Sequence, residues 1–102
     1  MKYSEKLKAS KELLTAIQAL KDGESLEVTY GKSFKGEPNV YSIKAYKSYK
    51  DEMSYSIWKS PFGMNIDSLG RTTFKAYTYD MMSQRTTYTF PLYEMELVKE
   101  SK

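Results

Sequence analysis

The chain has 102 residues, a formal net charge of +3, ten tyrosines, and neither histidine nor cysteine. That length suits one domain spanning residues 1–102. The missing residue types exclude disulfides, thiolate nucleophiles, Cys- or His-based metal sites and the usual proton shuttle, which favours binding over catalysis.

Leu, Ile, Val and Phe together number 19, a scarce aliphatic supply for a folded chain of this size. The modest charge argues against disorder, so aromatic rings and methionines must complete the core. Each buried aromatic removes roughly 150–250 Å² from water. No segment approaches the roughly 18 apolar residues of a membrane span. Met1–Ser10 has Lys2, Lys6 and Lys8 with no apolar run behind them, unlike a secretory leader. A cytoplasmic location is the expectation. Residues 32–91 carry nine basic and five acidic side chains, a mild positive bias that permits a polyanion without requiring one.

Residues 4–21 read as a helix. Ser4 is the expected cap, and Leu13, Leu14, Ile17 and Leu20 form a stripe at three- and four-residue spacing. Lys21-Asp22-Gly23 supplies the stop. Residues 26–30 alternate, with Leu26, Val28 and Tyr30 on one side, as a half-buried strand does. Gly31 to Pro38 reads as a loop. Strands over 40–49 and 53–59 form the next hairpin, reversing at Lys50-Asp51-Glu52. Tyr41, Ile43, Ala45, Tyr49, Tyr55 and Ile57 fall on one face. Lys44, Tyr46, Lys50, Ser54, Ser56 and Trp58 fall on the other. Ser60–Gly70, with Pro61, Gly63, Asn65, Asp67 and Gly70, reads as a loop packed on the core rim. Strands over 72–80 and 85–97 follow, the second broken near Pro91, where the apolar phase slips by one residue. Glu100–Lys102 reads as a frayed tail.

A helix followed by strands without intervening helices predicts an α+β domain. An N-terminal helix packs on a four- to five-stranded antiparallel meander, strongly curled or barrel-like. This order resembles the cystatin-like layout in architecture, and architecture alone implies no function.

Three chemical motifs fail on context. Gly31-Lys32-Ser33 follows a strand, but Leu26 stands where a P-loop needs glycine, and Gly36 and Pro38 preclude the required helix. Glu94 and Glu96 share a face as spaced carboxylates but lack a partner in a cleft. Serine–lysine pairs such as Ser42 with Lys44 are arbitrary choices among fourteen lysines. No D-x-D-x-D-G calcium loop is present.

The remaining constellation is aromatic and basic. Lys44, Tyr46 and Trp58 on the first hairpin and Lys75, Tyr77 and Tyr79 on the second lie opposite Ile43, Ile57, Phe74 and Ala76. With the helix over the aliphatic side, the other side presents rings interleaved with lysines. Tyr and Trp anchor protein interfaces, and the same surface could stack bases while lysines follow phosphates. Tyr30, Tyr41, Tyr49, Tyr55 and Tyr88 are assigned to the core. The expectation is a non-enzymatic module that binds a protein partner, as an inhibitor or adaptor of phage or mobile-element type. Single-stranded nucleic acid is the alternative. No cofactor, metal or membrane partner is expected, and no pattern specifies a homo-oligomer.

Overall fold

A computed structural model describes residues 2–59 and 62–98. Helix α1 spans Tyr3–Gln18. Seven strands follow: β1 (Ser25–Lys32), β2 (Pro38–Lys47), β3 (Met53–Lys59), β4 (Phe62–Leu69), β5 (Thr73–Tyr79), β6 (Arg85–Pro91) and β7 (Glu96–Leu97), with one 3₁₀ turn at Leu92–Glu94. The expected α+β class with a helix on an antiparallel sheet holds. The strand count does not: seven strands replace the expected four to five.

The helix ends three residues before the expected stop. Its N-cap is Lys2 rather than Ser4, and the Glu5 carboxylate accepts the Lys2 backbone N–H at 3.3 Å. Past Gln18, side chains take over the backbone groups. Glu24 Oε1 accepts from Lys21 N at 2.7 Å, and Asp22 Oδ1 accepts from Lys47 N at 3.0 Å. Gly23 turns with φ +86°, and its N–H donates to the Ala45 carbonyl. The connection is thereby tied to β2 instead of continuing the helix.

Strand order across the sheet is β6-β5-β4-β3-β2-β1-β7, every pair antiparallel. β6 and β7 occupy opposite edges, yet only Leu92–Met95 separate them in sequence. So short a connection brings the two edges together, and the sheet is curled into a half-barrel. Leu13 and Ile17 of α1 enter its hollow beside Val28, Ile43, Ile57, Phe74, Ala76 and Phe90, with Leu92 and Met95 from the closing segment. Burying each such large side chain stabilises the fold by roughly 1.5–3 kcal/mol. The expected covering of Ile43, Ile57 and Phe74 by the helix is observed.

Three local expectations are corrected. Most of the segment read as a loop over 60–70 is strand β4, with Met64 and Ile66 packed on the core; Ser60 and Pro61 lie outside the described residues, as does the 100–102 tail. Tyr49 is not core. β2 ends at Lys47, and Tyr49 is 94% exposed at the tip of a Ser48–Glu52 turn, with Lys50 Nζ 5.7 Å from its ring centre. Asp51 takes φ +61° there, which closes the reversal before Tyr49 can join the sheet face. The strand expected over 85–97 is interrupted for four residues after Pro91, longer than a bulge.

Candidate functional site: the convex sheet face

Alternation along β2, β3 and β5 decides which side chains leave the hollow. Lys44, Tyr46, Trp58, Lys75, Tyr77 and Tyr79 all project from the convex side, opposite the buried Ile43, Ala45, Ile57, Phe74 and Ala76. Trp58 is 52% exposed and Tyr79 57%; Tyr46 and Tyr77 are half-buried; Lys44 and Lys75 are exposed.

The register shows which of them meet. Lys44 pairs with Ser56, Ser56 with Asn65, Asn65 with Tyr77, and Tyr77 with Thr87, which defines one row across five strands. The next row begins with Ser42, Trp58 and Gly63 and ends with Tyr79 opposite Arg85. Tyr46, opposite Ser54, lies in the row on the other side of Lys44, so the four rings form a patch three rows deep. Lys44 flanks it on β2 and Lys75 flanks it on β5.

Three of the four rings are held by neighbours outside the predicted set. The Tyr46 hydroxyl donates to Asn65 Oδ1 at 3.3 Å, and Trp58 Nε1 donates to the nearly buried Ser56 Oγ at 3.1 Å. A Cβ on Gly63 would overlap the Trp58 ring, so the indole lies flat over a strand only because position 63 lacks a side chain. Arg85 stacks on Tyr77 at 4.3 Å from the ring centre and pairs with the Asp67 carboxylate, while Tyr77 meets Tyr79 edge-on at 5.5 Å. Asn65, Gly63 and Asp67 lay hidden in the misread loop. Arg85 follows from the hairpin, since a five-residue connection at Asp80–Gln84 sets it opposite Tyr79. Past Tyr79, the tip of that hairpin exposes Met81 and Met82.

The inner tyrosines behave differently. Tyr30, Tyr41 and Tyr55 pack on the core as expected, whereas Tyr88 is 45% exposed. Tyr30, Tyr41 and Phe90 form a three-ring cluster with centres 5.5–6.4 Å apart. Burial, and secondarily the proximity of Tyr30, pushes the Tyr41 hydroxyl pKa upward. Glu94 sits in the 3₁₀ turn and Glu96 on β7, both in solvent. Among the described residues no three carboxylates converge to hold a metal ion, and no helix is long and apolar enough to cross a membrane.

Comparison of this chain with protein-family models, with curated proteins and with solved structures gives no match.

Proposed function

We propose that this protein is a non-enzymatic binding module that engages a protein partner through its convex face, as an inhibitor or adaptor of the kind phages and mobile elements encode, acting in the cytoplasm. The observation that carries this reading is the fixing of Tyr46, Trp58 and Tyr77 by Asn65, Ser56, Gly63 and Arg85, with Tyr79 set edge-on against Tyr77. Rings already held in place lose little rotamer freedom on binding, and rigid Tyr and Trp anchors dominate protein hot spots. The test is capture of a partner from a native-host lysate by wild type and by a Trp58→Ala/Tyr77→Ala double variant, each treated with nuclease. A nuclease-resistant partner whose affinity falls at least thirtyfold in the variant, with the fold intact, supports the reading (about 2 kcal/mol). Unchanged capture by a folded variant overturns it.

One observation favours a second reading, single-stranded nucleic acid. Lys44 and Lys75 flank the rings and make no ion pair among the described residues. That reading predicts stacking of bases on the rings and affinity that falls steeply with salt. A flat salt response, or no binding at low salt, rules it out.

A further inference from the structure

The hollow of the half-barrel is filled at one end by α1 and the closing segment. At the other end it opens as a cleft of about 920 Å³. That volume is in the range of small-molecule sites. Its walls are aromatic and apolar: Tyr30 from β1, Tyr41 from β2, Met64 from β4, and Tyr88 and Phe90 from β6. A folded protein this short of aliphatic residues would ordinarily close such a volume around its own rings. Here Tyr88 is left 45% exposed at the cleft wall.

Two charged residues line the cleft, and they are not equivalent. Asp80 is committed to its turn, since one carboxylate oxygen accepts the backbone N–H groups of Met82 and Gln84, each at 2.9 Å. Lys59 is not. It follows Tyr55 and Ile57 in the inward phase of β3, its Nζ lies 5.7 Å from the centre of the Tyr41 ring, and it makes no ion pair among the described residues. Among the described residues the cleft thus offers one available cation, Lys59, above an aromatic floor. Its Tyr41 hydroxyl, whose pKa burial raises, stays protonated at neutral pH and so remains a hydrogen-bond donor.

We propose that this cleft binds a small aromatic or apolar anion, with its carboxylate or sulfonate against Lys59 and its apolar body among Tyr30, Tyr41, Met64, Tyr88 and Phe90. The cleft borders the convex platform at Gly63 and Tyr79, but the contacts proposed for the anion lie on the concave side and do not depend on the reading given to the other face.

The test uses three naphthalene probes of equal size and different charge: naphthalene-2-sulfonate, 2-naphthylmethanol and 2-naphthylmethylammonium. Binding is followed by NMR titration of the full chain. The expected order is sulfonate tightest and ammonium weakest, with ring shifts confined to Tyr30, Tyr41, Tyr79, Tyr88 and Phe90. Lys59→Met should weaken the sulfonate about tenfold and leave the alcohol unchanged, because only the charge-assisted contact is lost. Lys59→Arg should retain most of the preference. Lys44→Met, on the convex side, should change nothing. Lys59 is exposed, so these variants should fold, and an unchanged amide spectrum verifies it. Failure of all three probes to bind, equal binding of all three, an unaltered sulfonate affinity in Lys59→Met, or shifts centred on Trp58 would each overturn the proposal.

Discussion

The two faces of the sheet use tyrosine in opposite ways. On the convex side, Tyr46 and Tyr77 are fixed by partners beside them on the surface, an amide and a guanidinium. On the concave side, Tyr30 and Tyr41 are fixed by the rings they pack against, and partial burial raises the pKa of the Tyr41 hydroxyl. Side-chain parity along each strand makes the assignment. One residue type can therefore form a ring-lined outer face and a substitute core in the same sheet, and tyrosine content alone distinguishes neither.

Ile57→Ala should erase the distinction. Ile57 is fully buried between Ser56 and Trp58, and its truncation should cost roughly 2–5 kcal/mol in chemical denaturation and loosen both faces together. Gly63→Val should separate them. A side chain at 63 displaces the indole from the convex face, so tryptophan emission should shift red and partner binding should weaken. Stability should change by only about 1 kcal/mol, since valine suits a strand better than glycine does. Tyr41→Phe should act on the concave side alone, and only in alkali. A folded-state pKa above the ordinary value of 10.0 means that the native state holds the proton more tightly than the unfolded chain. The associated stability is fully present below about pH 10 and is lost as pH rises through the folded-state value. Urea midpoints should fall more steeply above about pH 10 in wild type than in Tyr41→Phe, and equal slopes would show that burial of Tyr41 is not felt. The smallest effect belongs to neither face. Ser83, at the β5–β6 turn, has φ +61°, and Ser83→Gly should raise the midpoint by the equivalent of about 0.5–1 kcal/mol with binding unchanged.

Much of this was legible from periodicity. The stripe of Leu13 and Ile17 marks the helix, and alternation along 41–46, 53–59 and 73–79 assigns all six residues of the proposed surface to their side of the sheet. β4 escaped because glycine, asparagine and aspartate read as breakers. In fact Met64 and Ile66 alternate with Gly63, Asn65 and Asp67, a period-two pattern. The supposed breakers are the convex-face residues: Gly63 makes room for an indole, Asn65 receives a phenol, and Asp67 holds Arg85. The small and polar residues of an outer strand face mimic loop composition when the strand is read alone. Tyr49 failed for the converse reason, since a backbone turn ended the strand before the apolar pattern did. The cleft could not be read from sequence, because it depends on how far apart β1 and β6 stand at the open end of the half-barrel.

The pairing of β7 with β1 has a kinetic consequence. Val28 faces Leu97, and the Val98 N–H donates to the Glu27 carbonyl, so the edge of the first strand is completed by nearly the last described residues. During synthesis, β1 must wait for almost the whole sheet to emerge before that edge is covered and before Leu92 and Met95 enter the core. Contacts of such long sequence separation place folding toward the slow, millisecond-to-second end of the range for domains of this size. Until they form, a strand edge and an apolar hollow are open to other chains. Deleting residues 96–98 should therefore slow refolding and promote aggregation out of proportion to the small area those residues bury.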